Sequence, residues 1–323
     1  MRAVLCPAFG EKLTVADVPP PDMGMGQVRI AVSAAGVNFA DTLMLRGEYQ
    51  ERLEPPFVPG LELAGRVIEV GDGVDTCRPG DMVMAVVTGG AFAEQAVAAA
   101  SDVFRLPDGV APVAAAGFPV AYGTSHLALT WKAQLRAGEV LLVHGAAGSV
   151  GLTAVEIGAA LGATVIATAG SADKLAIALA HGARHGIDSR HEDVRARVKA
   201  LTGGRGADVV FDPVGGALFD ASLRAVVPGG RILVVGFASG RIPQIPANIL
   251  LVKNIGVLGI NWNAYRTLDP GALRRSMAEA VAWWAAGRLR PLVSAVLPPD
   301  RAEEALDRLR NRTATGKVVL TFG

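Results

Sequence analysis

Residues 139–151 read EVLLVHGAAGSVG, and this stretch constrains the fold more than any other in the chain. The apolar run before His144 reads as a buried strand, and VGLTAVEIGAALGA after the turn reads as a helix. Ala146, Gly148 and Gly151 keep the spacing of a dinucleotide fingerprint with alanine in first place, with Ala147, Ser149 and Val150 between them. Small residues let the backbone approach a pyrophosphate, and the last glycine lets the helix pack closely on the strand. The helix N-terminus then supplies N–H groups and a partial positive charge. A small-residue turn in some other α/β fold is the competing explanation. The strand before and the helix after favour the cradle.

The rest of the chain agrees with that start. From about residue 120, apolar segments recur as TVIATAG, ADVVFDPVG, GRILVVGF and NIGVLGI, separated by helix-like stretches such as SADKLAIALAHGA and HEDVRARVKALTG. Strands alternating with helices of this length predict βαβ units and a doubly wound parallel sheet covered on both faces. Gly162 and Gly182 stand where helices should stop. The first third, with segments such as QVRIAVSAAGV and LAGRVIEVG broken by proline and glycine, predicts an antiparallel or mixed β domain. Near the end, Asp269-Pro270 opens a helix closed at Gly287, Asp300 with Glu303 resembles a capping box, and GKVVLTF closes the chain as a strand.

Which dinucleotide the cradle suits depends on the second strand. An NAD site places an acid about 20 residues beyond the last glycine to hold the ribose 2′-OH. Here the strand ends in Gly170-Ser171, followed by Lys174, so a 2′-phosphate meets a hydroxyl and a cation rather than a carboxylate. Asp173 is expected to lie along the new helix instead. Lys174 as a plain surface lysine is the alternative. The balance favours NADPH. GFASG, with Gly236, Phe237 and Ser239, should sit at a strand's C-terminal end, near the ligand cleft of such folds.

Composition removes other classes. The 323 residues carry a net charge of +1 and only 5% aromatics, which gives little support for a basic groove or base-stacking platform for nucleic acid. No signal peptide or membrane-spanning run is apparent, so a cytoplasmic protein is expected. The two cysteines, Cys6 and Cys77, offer neither a disulfide framework nor paired zinc spacing.

Taken together, GLELAGRVIEVG (Gly60, Glu62, Gly65, Val67, Gly71), AAGVNFADTLMLRGEY and HGAAGSVG resemble the zinc-free quinone oxidoreductase (zeta-crystallin-like) branch of the medium-chain dehydrogenase/reductase superfamily. The resemblance covers essentially the whole chain. It implies a GroES-like β-rich catalytic domain built from both chain ends, residues 1–120 and 262–323, with a Rossmann domain inserted at 121–261 and an active site in the cleft. It also implies a homodimer formed through the last Rossmann strand, within NIGVLGI.

By the same resemblance Asn38 and Asp41 line the nicotinamide end, Thr124 touches the cofactor there, and Tyr49 is a wall or hydroxyl donor. Arg312 falls where an arginine meets the 2′-phosphate. As plain structural residues, Asn38 and Asp41 would stabilise a turn and Arg312 would end a helix. Two positions depart from the pattern: Leu43 and Ser189 stand where close quinone reductases carry tyrosines.

Zinc-dependent relatives have a cysteine at the position of Asn38 and a histidine at that of Leu61. Their third ligand would fall in AGFPVAYG, which has neither. An amide and a leucine cannot replace thiolate and imidazole, so no metal is expected. His181 and His185 have i, i+4 spacing, but Gly182 should break the helix between them. Without a Lewis acid, hydride delivery suits quinones and conjugated carbonyls better than simple alcohols and ketones. Reduction of an enal, enone or enoyl-thioester C=C bond is the alternative within the enzyme class. A non-catalytic NADPH- or RNA-binding crystallin-like protein is the alternative outside it.

Overall fold

The computed structural model describes residues 1–322 and divides the chain into two compact units, 1–120 with 291–323, and 121–290. The first unit opens with a two-stranded ribbon, β1 (Arg2–Leu5) and β2 (Thr14–Asp17). Then follow β3 (Gln27–Val37), the short helix α1 (Phe39–Met44), β4 (Glu62–Val70), β5 (Met82–Val86), β6 (Gln95–Ala99), β7 (Val103–Arg105) and α2 (Pro112–Ala115). In β3 the burial alternates with period two until Ala34 and is then continuous, so one end of the strand is enclosed on both faces. Apolar side chains of β3, β4, β5 and β6, including Ile30, Leu63, Val83 and Ala96, form the core of this unit.

The second unit begins within α3 (Pro119–His126), which runs into a π-helical turn at Leu127–Lys132. It continues through β8 (Val140–Val143), α4 (Ser149–Ala160), β9 (Thr164–Ala169), α5 (Ala172–Ala180), β10 (His185–Asp188) and α6 (Val194–Leu201). Then come β11 (Ala207–Asp212), α7 (Gly216–Ala225), β12 (Val226–Val234), α8 (Ala247–Lys253), β13 (Gly256–Gly259), α9 (Tyr265–Leu268) and α10 (Pro270–Ala285). The six strands are all parallel, in the order β10-β9-β8-β11-β12-β13. This is the doubly wound sheet expected from the strand–helix alternation. Back in the first unit, β14 (Val293–Leu297), α11 (Ala302–Arg310) and β15 (Lys317–Thr321) complete the chain. β15 pairs antiparallel with β3, extending the larger sheet.

Two readings need correction. Residues 262–290 belong to the second unit rather than the first. The face of α10 carrying Ala272, Leu273, Ser276, Met277 and Ala280 is buried, and its Ser276 hydroxyl meets His126 Nδ1 at 2.8 Å. Trp283 packs edge-on to the same imidazole, with centroids 4.9 Å apart. Second, Asp300 and Glu303 form no capping box, because Arg301 is the N-cap of α11 and makes no side-chain cap bond. Glu303 instead accepts the Leu13 N–H at 3.0 Å. HGID forms a strand, β10, that no apolar run announces; only Ile187 in it is buried. The other helix-end glycines behave as expected, Gly162, Gly182 and Gly287 all having positive φ.

Candidate functional site

In the second unit, the connections that follow β8, β9, β11, β12 and β13 all leave the carboxyl ends of the parallel strands, and candidate cofactor residues lie in the first four of them. The turn between β8 and α4 is shaped by Gly145 at φ +58, a conformation that suits glycine. A Cβ on Gly151 would stand 2.2 Å from the Gly145 carbonyl oxygen, so α4 can approach the turn this closely only without a side chain there. Leu152 N–H bonds to Gly148 O at 2.8 Å. The N–H groups of Ser149, Val150 and Gly151 in the first turn of α4 are thus at its open end, where an anion is favoured. Ala146 and Ala147 are buried beneath.

Beneath the cradle lies a residue that the sequence does not single out. His144 is fully buried, its Nδ1 3.0 Å from Thr168 Oγ1 on β9 and its Nε2 2.7 Å from Ser222 Oγ on α7. Ser222 spends its hydroxyl proton on Leu218 O, so Nε2 carries the imidazole proton and Thr168 donates to Nδ1. Burial keeps this imidazole neutral, holding its pKa below the ordinary histidine value. Thr124 lies on α3, which is fastened to the start of α4 by the Ser125 hydroxyl donating to Val150 O at 2.9 Å.

At the end of β9, Ser171 caps α5, its hydroxyl accepting the Lys174 N–H at 3.4 Å. Gly170 has a neighbour that sequence reasoning misses: a Cβ there would stand 2.9 Å from Arg190 Nε. The guanidinium stem therefore lies over the turn that should receive a 2′-phosphate. Asp173 occupies the first turn of α5, where it complements the helix dipole.

The turn carrying Gly236, Phe237 and Ser239 is bonded to the turn after β11, with Ala238 N–H on Pro213 O at 3.1 Å and Ser239 N–H on Val214 O at 2.9 Å. Asp212 Oδ1 in turn accepts Val214 and Gly215 N–H. Phe237 is 37% exposed.

The first unit holds a different construction. Asn38 precedes α1 at the end of β3, and its backbone N–H donates to Asp41 Oδ2 at 2.7 Å. Its side-chain amide is used at both ends: Lys317 Nζ donates to Oδ1 at 2.7 Å, and Nδ2 donates to Glu62 Oε1 at 2.9 Å. Lys317 also forms an ion pair with Glu62, whose other oxygen accepts the Val120 N–H at 2.8 Å. All four side chains, Asn38, Asp41, Glu62 and Lys317, are buried. Two glycines make room: a Cβ on Gly36 would come within 2.6 Å of Glu62 Oε1, and one on Gly117 within 2.3 Å of Lys317 Cγ. Asp41 Oδ1 has no hydrogen-bond partner among the described residues. Burial raises the Asp41 pKa to about 7, with Glu62 adding and the Asn38 N–H and Lys317 opposing. Tyr49 is pushed up to about 12, by burial first and then by Glu51 and Asp41, so its hydroxyl remains a donor.

Arg312 belongs to the first unit, in a turn beyond α11 at φ +55. Leu61, at the position where zinc-dependent relatives have a histidine, is buried. Among the described residues no three histidine, cysteine, aspartate or glutamate side chains converge as metal ligands. His181 Nδ1 lies 2.5 Å from Glu156 Oε1 and closes α5 rather than forming a ligand pair with His185.

Residues 24–108 match the alcohol dehydrogenase GroES-like domain family, and residues 149–282 match a family described as zinc-binding dehydrogenase. The chain is 41% identical over 322 residues to the quinone oxidoreductase-like protein 2 homolog of Nematostella vectensis, covering 99% of this chain and 88% of the relative. The quinone oxidoreductase of Thermus thermophilus, solved also with NADPH, superposes with a TM-score of 0.87 at 35% identity, with 100% of each chain covered. The Escherichia coli quinone oxidoreductase complexed with NADPH gives 0.92 at 29% identity, again over 100% of both chains. A Rossmann-type sheet in one unit and a GroES-like fold in the other define the class as the medium-chain dehydrogenases/reductases. Within it, the chain belongs to the quinone oxidoreductase-like family and is an oxidoreductase.

Proposed function

We propose that the chain is an NADPH-dependent, metal-free reductase of quinones. The observation that carries the cofactor choice is the end of β9, where Gly170 and Ser171 replace the acid of an NAD site and Lys174 and Arg190 bring two cations. The cradle fits a pyrophosphate for a physical reason: Gly151 admits no Cβ, and the first-turn N–H groups of α4 are available to it. Ala146 to Gly151 hold the phosphates, Thr124 with Gly236, Phe237 and Ser239 border the rest of the dinucleotide, and Arg312 serves the 2′-phosphate. The relatives solved with NADPH support the same reading.

When bound, NADPH supplies a hydride, two electrons with one proton. A quinone bound there would need that hydride and one further proton to reach the hydroquinone, and the residues of the first unit are proposed to hold the acceptor and supply the proton. Asn38, Asp41 and Tyr49 serve the reacting end. Asn38 is held in one orientation by Lys317 and Glu62, Tyr49 offers a hydroxyl donor, and Asp41 carries a proton in a large fraction of molecules near neutral pH. The metal-free part rests on the donor set. The group at the cysteine position is an amide with both ends committed, and one of its partners is an ammonium, which repels a divalent cation.

A homodimer is supported by β13, the last strand of its sheet with one edge unpaired, and by Leu251 and Val252 on neighbouring α8, each 78% exposed. A cytoplasmic location belongs to the same reading. No helix among the described residues is long and apolar enough to cross a membrane.

The test is the rate of NADPH and NADH oxidation by EDTA-treated protein with 1,4-benzoquinone, 9,10-phenanthrenequinone and a 2-alkenal. Fast, NADPH-preferring turnover of a quinone is expected. Turnover of the alkenal alone moves the protein to the C=C reductases, and restoration of activity by zinc sinks the metal-free assignment.

A further inference from the structure

A cavity of about 490 Å³ opens on the second unit where the start of α6, one side of α7 and the chain around the start of α8 come together. The strand order places it. From β8 to β10 the chain crosses the sheet in one direction, and through β11, β12 and β13 it returns in the other. Right-handed crossovers therefore put α4 and α5 on one face and α6, α7 and α8 on the opposite face. No residue of the cradle, nor of the turn after β9, lines the cavity.

Its floor is apolar and built from small groups. Leu223 belongs to the core of this unit, Ala221 and Ile249 pack against that core, and Ala217 stands one turn before Ala221 on α7. Alanines at these positions leave open a volume that suits a small organic ligand.

Its rim is charged, and the charge is one-sided. Arg195 and Arg224 line the cavity and are exposed, and neither guanidinium has a hydrogen bond or ion pair among the described residues. The two acids of the lining are committed elsewhere. Asp193 Oδ1 accepts the Ala196 N–H at 3.0 Å as the cap of α6, and Asp220 Oδ2 meets Arg241 Nη2 at 2.5 Å. Lysines strengthen the field from below: Lys253 Nζ donates to Leu223 O at 2.9 Å, and Lys199 lies one turn beyond Arg195 on α6. The Lys253 pKa is held below the ordinary lysine value, by burial first and then by Lys199 and Arg195, so these cations act on one another. Five cations thus stand in or beside a cavity lined by two acids, in a chain whose net charge is only +1. Such a concentration in a concave site attracts anions.

We infer that this cavity is a ligand site in its own right, for a small organic anion whose phosphate or carboxylate meets the Arg195 and Arg224 guanidiniums and whose apolar body lies on the alanine floor. Guanidinium forks match both anionic groups, and here their donors are unspent. The inference does not depend on the NADPH reading, since the cavity shares no residue with the cradle.

Calorimetric titration with phenyl phosphate, benzoate, inorganic phosphate and phenol tests it, on the unmodified chain and on the Arg195→Gln, Arg224→Gln double variant. At least one of the two organic anions is expected to saturate one site per chain, and the tighter of them identifies the anionic group. Inorganic phosphate and phenol should each bind at least about tenfold more weakly, because each lacks half of the ligand. The double variant should lose about tenfold in affinity for the organic anion while keeping its unfolding midpoint, as both side chains are exposed. Ala217→Leu, which fills the floor, should weaken the organic anion and spare inorganic phosphate. Excess NADPH should leave the Kd within about twofold. Displacement by NADPH would put the anion in the cradle, and unchanged binding to the double variant or to Ala217→Leu would put it elsewhere on the surface. Inorganic phosphate binding as tightly as the organic anions would reduce the site to a surface ion contact, and no saturation by either would leave the cavity without a ligand of this class. Each of these results overturns the inference.

Discussion

The two units solve the problem of holding polar groups in different ways. In the second unit the cradle is made of backbone: N–H groups at a helix start, a glycine at positive φ, and a glycine whose Cβ, if present, would stand 2.2 Å from a carbonyl oxygen. In the first unit the corresponding work is done by side chains, with Asn38, Glu62 and Lys317 consuming one another's hydrogen-bonding capacity away from water. A backbone site depends on a few consecutive small residues and tolerates change elsewhere. A buried side-chain network has no such tolerance, because Glu62 or Lys317 left alone is an unpaired charge in a poor dielectric and Asn38 left alone is an unsatisfied polar group.

That contrast predicts its own largest effect. Lys317→Met leaves the Glu62 carboxylate buried beside an amide and is expected to cost about 3–5 kcal/mol in denaturant unfolding. Adding Glu62→Gln removes the uncompensated charge, so the double variant should recover a large part of the loss. If the two substitutions simply add, the pair is not coupled and the comparison fails on the side of the first unit.

The same contrast explains what is legible in the sequence. The cradle can be read because its determinants, Ala146 to Gly151, lie within one turn of chain and follow an apolar strand. The last glycine of the pattern reads as a close-packing position, and the structure gives that packing a distance. The network cannot be read: Lys317 and Asn38 are 279 residues apart, and nothing in GKVVLTF says that its lysine is buried. Glu62 is visible as part of a signature but not as the partner of two other residues. The same distance effect makes Glu303 misleading, since it meets Leu13 across 290 residues instead of capping its own helix. Residues 262–290 read as part of the wrong unit because the contact that holds them, His126 with Ser276, is likewise long-range. Arg190 is invisible because β10, which delivers it, has no apolar pattern.

Protonation divides the units in a second way. Asp41 ionises at 3.8 in an ordinary environment but at about 7 here, chiefly through burial. Between those values the folded state holds more protons, so stability falls as pH rises from about 4 to 7. In the second unit burial lowers the His126 pKa from 6.5 to about 4; its ring meets Ser276, and Glu279 Oε2 stands 3.6 Å from Nε2. There the unfolded chain holds more protons, so stability falls as pH drops from about 6.5 to 4. The slopes oppose each other, each amounting to at most about 3–4 kcal/mol across its window. Asp41→Asn should therefore make stability rise with pH between 4 and 6.5, and His126→Gln should make it fall. Unfolding midpoints of both variants at pH 4.5, 5.5 and 6.5 check the signs, and identical profiles would remove the distinction.

The cradle has its own breaking point. Gly151→Ala puts a methyl group 2.2 Å from the Gly145 carbonyl oxygen, a backbone atom that cannot rotate aside. The start of α4 must shift, at a cost of about 1–3 kcal/mol in unfolding, and NADPH affinity should fall with it. Gly148→Ala is the control: its Cβ would meet the same oxygen at 3.3 Å, so a smaller loss is expected. Equal effects of the two would show that the cradle tolerates side chains and is not set by close approach.

Arg190 is where a side chain supplements the backbone-built site, and it carries the smallest effect. Its guanidinium stem lies over Gly170, but the residue is exposed, so on the proposed reading a contact with a 2′-phosphate would be solvent-screened. Arg190→Ala is expected to weaken NADPH binding by about fivefold, roughly 1 kcal/mol, and to leave NADH binding unchanged. The loss should shrink between 50 mM and 500 mM salt, because an exposed ion contact is screened while the N–H groups of α4 are not affected in the same way. An equal loss for NADPH and NADH would mean that Arg190 shapes the turn rather than meeting the phosphate. In that case Ser171 and Lys174 would carry the preference without it, and the end of β9 would be, like the cradle, a site set by local sequence alone.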